Sequence, residues 1–388
     1  MSADEPAGVS AFDREMAASF RSDRLHLILF PTEQCNFRCT YCYEDFAIGR
    51  MRPEVVEGVK NLIDRRRDDL AHLQISWFGG EPMLARAIVE DVAAHASEAR
   101  RRRPGLGYDS DMTTNGYLLD DPAARRLAEL GIRRFQVSLD GPAPHHDHTR
   151  VRADGQGTFE RIWRNLSSIR DGSADVRVLL RVHLTPGNLA VMPEFLTRVR
   201  DTFLGDPRFL VFLKRVVRLG GPGDASMEVL DAEDTRIAAL EEIIRTDGRG
   251  ASLFQPEEVC YAARANSLMV RADGRLGKCT VGLSEPANTV GRLLPDGSLK
   301  VDNPRLRQWL QGWESRDPEL TACPYEAFTR QGTRKGTRQD TSPGPELFQL
   351  TERPGGPPRR PADQTGGRSY RQNSLPSGSA MTTQPTSP

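Results

Sequence analysis

Net charge is absent from this 388-residue chain: 53 basic side chains balance 53 acidic ones. Nucleic-acid binding draws on a basic excess, so the composition gives no support to such a partner. The arginine runs Arg65 to Arg67 and Arg100 to Arg103 close expected helices, where cations on a solvated face suit the helix dipole. Apolar runs of the roughly 20 residues that cross a bilayer are also missing. Residues 1–21 lack the apolar core of a signal peptide. The expectation is a cytoplasmic protein with no membrane partner. Cysteine is scarce, at six residues. In a reducing compartment these are metal ligands or core residues rather than disulfides. No internal repeat interrupts the chain.

What is present begins after a lead expected to be flexible over residues 1–24. Leu25 to Phe30 (LHLILF) is an apolar run suited to a buried parallel strand. Val55, Val56, Val59, Leu62 and Ile63 then recur at helical spacing. Strands expected at 72–78, 110–114, 135–139, 176–184 and 209–217 alternate with helical patterns. About six βα units predict a parallel sheet with right-handed crossovers. Six are too few for a closed eight-fold barrel. The expected fold is therefore α/β, a partial (βα)6 TIM-like barrel over residues 25–225. A linker helix at 231–246 leads into a smaller β-hairpin domain within 226–330. There Ser267 to Cys279 reads as two short strands around Asp273-Gly274. From 331 to 388 the pattern is lost. Nine of the 27 prolines lie beyond Ser342, with Phe348 and Tyr370 as the aromatics there. Too little apolar surface is available to offset ordering entropy, so a disordered tail is expected.

The chemistry centres on Cys35-Asn-Phe-Arg-Cys39-Thr-Tyr-Cys42, a C-x3-C-x2-C directly after the first strand. Parallel α/β folds present functional loops at that end of a strand. Three thiolates are one short of a closed zinc site or a fully ligated cluster. On a [4Fe–4S] cluster they leave one iron open to a ligand. A partial zinc site or buried apolar cysteines would use the same residues. Gly79-Gly80-Glu81-Pro82 ends the second strand. It reads either as a strand-to-helix turn or as a place where a ligand approaches the backbone closely. Arg181 and His183 alternate with apolar residues on the fifth strand and are candidates to face the barrel interior, or to be structural.

These residues resemble the radical S-adenosylmethionine (SAM) superfamily over about residues 25–220. The resemblance implies that Cys35, Cys39 and Cys42 hold a [4Fe–4S] cluster whose open iron chelates SAM. Tyr41 then lies near the adenine. Gly79, Gly80, Glu81 and Pro82 are the GGEP motif that receives SAM's amino group. Asn115 and Ser138, at the ends of the third and fourth strands, contact SAM or shape its pocket. Ser138-Leu-Asp-Gly141 is similar to the family's fourth-strand signature. The implied reaction cleaves SAM reductively to a 5′-deoxyadenosyl radical, with a donor such as flavodoxin or ferredoxin. No general acid or base is assigned.

Cys260 and Cys279 frame C-x13-G-x4-C, followed by Asn288-Thr-Val-Gly291. This resembles the start of the SPASM domain, which holds auxiliary clusters in peptide-modifying members. Of the remaining SPASM cysteines only Cys323 is matched; Leu320, Thr329 and Thr333 stand where the others would be. Two complete auxiliary clusters are therefore impossible. One three-thiolate cluster on Cys260, Cys279 and Cys323 is expected, against thiols that only pack. The implied activity is cross-linking or oxidation of a ribosomally made precursor peptide. The alternatives are a formylglycine-forming sulfatase maturase, which carries an Asp where this chain has Thr280, and a non-catalytic iron–sulfur redox protein.

Overall fold

A computed structural model describes residues 10–219, 221–231, 234–245 and 259–325. The chain runs through α1 (Ala11–Ser19), β1 (Arg24–Leu29), α2 (Pro53–Arg66), β2 (His72–Trp77), α3 (Arg86–Arg102), β3 (Gly107–Thr114), α4 (Asp121–Glu129) and β4 (Ile132–Leu139). It continues through α5 (Ala143–Thr149), α6 (Phe159–Asp171), β5 (Arg177–Leu184), α7 (Met192–Phe203), β6 (Phe209–Arg215) and α8 (Arg236–Ile244). Last come β7 (Ser267–Val270), β8 (Arg275–Gly277), β9 (Gly291–Leu293), β10 (Leu299–Val301), α9 (Asn303–Ser315) and α10 (Pro318–Ala322).

Strands β1 to β6 lie side by side in sequence order and pair in parallel, which is the expected partial barrel. Each strand's apolar residues go into the core: Leu27 and Leu29 on β1, Ile75 and Trp77 on β2, Val178, Leu180 and Val182 on β5. Helix α2 starts at Pro53, whose missing N–H costs nothing at a helix start. It buries Val55, Val59, Leu62 and Ile63, the residues whose spacing predicts it.

The small C-terminal strands join this same sheet. β7 pairs in parallel with β1, and β8, β9 and β10 follow antiparallel, giving ten strands in the order β10-β9-β8-β7-β1-β2-β3-β4-β5-β6. The hairpin turn falls at Asp273-Gly274, with Gly274 at φ 86°. β1, rather than forming a barrel edge, is interior to the sheet.

The lead differs from its expectation. Residues 11–19 form a helix rather than a flexible segment. Ser10 caps it by accepting from the Asp13 N–H at 3.1 Å. Phe12, Met16 and Phe20 recur every four residues and pack on the core. The Phe12 and Trp313 rings lie 5.0 Å apart, and Trp313 Nε1 donates to the Ala263 carbonyl at 2.7 Å. This helix thus covers an aromatic side chain that is buried in α9. The expected disordered tail, with Thr329 and Thr333, lies outside the described residues. Among the described residues no helix is long and apolar enough to cross a membrane.

Candidate active site

The segment after β1 carries Cys35, Cys39 and Cys42 across the C-terminal end of the barrel, and it is fastened from three sides. After β4, the chain around Val151 holds it as a strand would: Arg38 N–H donates to the Val151 carbonyl at 2.8 Å and Thr40 N–H to the Thr149 carbonyl at 2.9 Å. From β2, Glu81 N–H donates to the Gln34 carbonyl at 3.0 Å. From the end of β7, Arg271 Nε donates to Glu33 Oε1 at 3.1 Å in a buried ion pair, and the Ala272 N–H joins it at 3.3 Å. Glycine is required on the β2 side. A Cβ on Gly79 would stand 2.3 Å from the Thr32 carbonyl oxygen, and one on Gly80 would stand 2.4 Å from that of Gln34. Gly79 also sits at φ 112°, a conformation open mainly to glycine.

The three thiols share an electrostatic problem. Burial pushes Cys35 up to about 12 and Cys42 up to about 11, and it raises Cys39 against the pull of Arg150. Neutral thiols are favoured here unless a cation joins them, and cluster iron is such a cation. Cys35 Sγ already accepts the Phe37 N–H at 3.3 Å, and Asn115 Nδ2 stands 4.0 Å from it; such donors tune cluster sulfurs. Among the described residues no three His, Cys, Asp or Glu side chains converge tightly enough for a single ion. Thiols that grip three separate irons of a cluster need no such convergence. The donor set therefore fits a three-thiolate [4Fe–4S] cluster.

A cleft of about 930 Å³, counted to its open mouth, lies beside the three thiols. Tyr41, Gly79, Gly80, Asn115 and Ser138 line it. Glu81 and Pro82 are buried and do not. Glu81 is fully buried, and its carboxylate accepts from Met83 N–H at 3.0 Å, Thr114 Oγ1 at 2.8 Å and Asn115 N–H at 2.7 Å. It thereby ties the end of β3 to the turn after β2 and sets the position of Asn115. The Asn115 side chain donates to Asn36 Oδ1 at 2.8 Å, so strand end and cysteine loop are in register.

Tyr41 meets a polar network in which Arg181 and His183 were candidates from sequence, while the roles of Asp140, Thr149 and Arg150 were not read there. Its hydroxyl donates to Asp140 Oδ2 at 2.8 Å and accepts from Arg150 Nη1 at 2.8 Å. Thr149 Oγ1 also donates to Asp140, at 2.7 Å. His183 Nδ1 stands 3.0 Å from Asp140 Oδ1, and Arg181 Nε donates to His183 Nε2 at 2.9 Å. Because Nε2 accepts, Nδ1 carries the proton and donates to Asp140. Burial is the largest influence on His183 and lowers it to about 4, with Arg181 adding to the effect, so the ring is neutral at pH 7. On Asp140 burial is also the largest influence and acts upward. Its bond to His183 and the nearby Arg150 outweigh it and hold the carboxyl well below the usual range. The signals available in sequence were Asp140 within the Ser138–Gly141 signature and a lone Arg150 beyond the Asp140-Gly141 turn.

The second cysteine set assembles from three elements. Cys260 precedes a short 3-10 turn, Cys279 follows β8, and Cys323 follows α10. The thiols lie within electrostatic reach of one another, and Cys260 N–H donates to the Thr321 carbonyl at 2.9 Å. Burial pushes Cys260 up to about 11 and raises Cys279. Cys260 Sγ accepts the Ala262 N–H at 3.5 Å and Cys279 Sγ the Val281 N–H at 3.4 Å, the same two-residue pattern that Cys35 shows. Asn288 receives both the Lys278 and Cys279 N–H groups on Oδ1, at 2.8 and 2.9 Å, and fixes the turn.

Comparison with known proteins follows the same lines. The Radical SAM superfamily profile matches residues 29–191. The GTP 3′,8-cyclase of Trichormus variabilis is 30% identical over 314 residues, covering 74% of this chain and 90% of that protein. The serine-type anaerobic sulfatase-maturating enzyme of Klebsiella aerogenes is 26% identical over 163 residues, 41% of this chain and 40% of that one. Among solved structures, native anSMEcpe with bound AdoMet and a peptide aligns at a TM-score of 0.57 and 19% identity, covering 79% of this chain and 86% of that one. The last likeness is one of fold.

Proposed function

The chain belongs to the radical SAM superfamily, and from that premise we propose that it modifies a ribosomally made peptide by hydrogen abstraction from an unactivated side chain. It is an enzyme that uses a [4Fe–4S] cluster and SAM. Cys35, Cys39 and Cys42 are the residues that would hold the cluster, with Gly79, Gly80, Asn115 and Ser138 around SAM. A reduced cluster held there would supply the one electron for cleavage of SAM's C5′–S bond, giving methionine and a 5′-deoxyadenosyl radical. The protein's part is to orient SAM against the turn at Gly79-Gly80, to hold Tyr41 through Asp140 and Arg150, and to keep bulk water from the reacting atoms.

The observation that carries the peptide reading is that Cys260, Cys279 and Cys323, from three separate elements, lie within electrostatic reach of one another. Three thiols from separate elements, two of them with the N–H donors seen at Cys35, support an auxiliary cluster of the SPASM kind. Such a cluster would position substrate or accept the electron left after hydrogen abstraction. The formylglycine reading is disfavoured by Thr280, whose hydroxyl is paired with Tyr261 at 2.7 Å where that chemistry uses an Asp.

A second reading is the cyclisation of a purine nucleotide. The 30% identity to a GTP 3′,8-cyclase over most of both chains favours it. One experiment separates them. The anaerobically reconstituted enzyme is incubated with SAM, a reductant and, in parallel, GTP or the product of any short reading frame found beside its gene. Mass loss on the peptide, together with 5′-deoxyadenosine, supports the proposal. Product from GTP and none from the peptide overturns it.

A further inference from the structure

The β5–β6 wall of the cleft carries cations that nothing in the reaction so far employs. Arg181, Lys214 and Arg215 line it, and Glu44 is the acidic side chain among the lining residues. Glu44 has Glu33, Arg271 and Asp45 as its electrostatic neighbours, not Arg181. Arg150, also in the lining, is committed to Tyr41. Arg215 Nη1 donates to the Leu230 carbonyl at 3.2 Å. Arg181 and Lys214 are different. Arg181 uses its Nε on His183, and its two terminal nitrogens have no hydrogen-bond or ion-pair partner among the described residues. Lys214 has none either. The strand register sets Lys214 beside His183, and so diagonally from Arg181 on the same face.

Two such cations repel, yet the fold holds them together. Burial and the neighbouring Arg181 and Arg215 charges all lower Lys214. Nor is Arg181 free to turn away. Its guanidinium is aimed by His183, which Asp140 holds, while Asn188 Nδ2 donates to the His183 carbonyl at 2.9 Å and the Asp140 carbonyl at 3.0 Å. With Nε occupied, the remaining edge of the guanidinium is the pair of terminal nitrogens. That edge matches the two oxygens of one carboxylate, with the lysine as a second point charge.

We propose that Arg181 and Lys214 form an anion subsite that takes one carboxylate of the substrate, from an acidic side chain or the chain terminus. The proposal deepens the peptide reading by naming the group that anchors the peptide in the barrel. It also couples substrate to the cysteine loop. A carboxylate on Arg181 rests on the chain His183–Asp140–Tyr41, which ends one residue before Cys42.

The test is calorimetry on the reconstituted, SAM-loaded protein with three probes: N-acetylglutamate amide, its neutral isostere N-acetylglutamine amide, and inorganic triphosphate. The glutamate probe should bind at least about tenfold more tightly than the glutamine probe, as a charge-assisted pair implies. Arg181→Met and Lys214→Met should each remove at least about tenfold of that affinity, with Arg181→Lys losing less than Arg181→Met. Lys214 lies at the rim of the cleft, so its variant tests the subsite even if Arg181→Met fails to fold. Equal binding of the two amino-acid probes overturns the proposal. So does a SAM affinity that falls in step with the probe in Arg181→Met, because the anion is then SAM's own carboxylate. Triphosphate binding tenfold more tightly than the glutamate probe overturns the carboxylate assignment in favour of a phosphate. None of these outcomes depends on whether a peptide product forms, so the proposed function stands or falls separately.

Discussion

The two cysteine sets are built by opposite strategies. Cys35, Cys39 and Cys42 occupy eight consecutive residues, and the fold's task is to clamp one loop from three sides. Cys260, Cys279 and Cys323 are scattered over 64 residues, counted from 260 through 323, and only tertiary packing brings them together. A loop that carries all its thiols can be read as a motif. A site assembled from a 3-10 turn, a strand end and a helix end cannot. The first set also sits against a dense buried network of Tyr41, Asp140, Arg150 and His183. The second rests on backbone donors, on Asn288 and on Tyr261, whose hydroxyl meets Thr280 beside Cys279.

The sharpest test of that contrast is to remove each set in turn. Changing Cys35, Cys39 and Cys42 together to Ala should reduce SAM cleavage to that of the protein-free control, read as 5′-deoxyadenosine by liquid chromatography. Undiminished cleavage would refute their role. Changing Cys260, Cys279 and Cys323 to Ala should lower iron and sulfide from about eight to about four per chain, if two four-iron clusters are present. SAM cleavage should survive in part, whereas peptide modification should fall further. About four irons in both proteins would leave the second set as packing thiols, and the comparison between the sites would collapse.

A smaller effect is expected where the two regions meet. Arg271 lies between Cys260 and Cys279 in sequence, and its partner Glu33 lies two residues before Cys35. Replacing Arg271 with Met leaves a buried carboxylate without its partner. The cost should be about 3–5 kcal/mol, seen as a lower melting temperature. The double variant with Glu33→Gln should recover part of it. No loss in the single variant would show that the two regions are held by the sheet alone.

The smallest effect concerns acid. His146, behind the Tyr41 network, accepts the Asp140 N–H on Nδ1 at 3.2 Å, and burial lowers it to about 4. Between that value and the unfolded one near 6.5, only the unfolded state binds the proton, so stability rises with pH across this window and is lost as pH falls. His183 acts in the same direction. Glu44, raised to about 8 by burial, opposes them between the ordinary carboxylate range and that value. His146→Asn should make the acid limb shallower by about 1.4 kcal/mol per pH unit, measured by denaturant titration from pH 4 to 6.5. An unchanged slope would mean that the barrel side is not the acid-sensitive region.

These contrasts also explain what was legible in the sequence. Most of the six parallel strands were visible as short apolar stretches followed by a helical period, as with Leu25 to Leu29 and Val55 to Ile63, whereas the mostly polar β3 was marked chiefly by the Asn115-Gly116 turn that ends it. Gly79-Gly80 was legible as a place of close approach, but the sequence suggested a ligand there, whereas the space a Cβ would need is taken by the Thr32 and Gln34 carbonyls of the cysteine loop. The pairing of β7 with β1 was not, because nothing in a four-residue strand such as Ser267–Val270 names a partner about 240 residues away. The Glu33–Arg271 pair was hidden for the same reason. Helix α1 was legible in principle, because Phe12, Met16 and Phe20 keep helical spacing, although the segment was expected to be a flexible lead. Glu81 illustrates a different limit. Its motif was clear, but that its carboxylate would be spent on Thr114 and Asn115 follows only from where β3 ends.

The insertion of β1 between β2 and β7 has a consequence for synthesis on the ribosome. β1 is among the first strands to emerge, but one of its edges stays open until β7 has been made. At ordinary translation speeds that delay is roughly ten to fifty seconds. During this interval the nascent chain exposes an apolar strand with unpaired amides, the kind of edge that recruits other chains. Truncated products that stop before Ser267 would carry that open edge permanently, and a host cell would have to shield or degrade them.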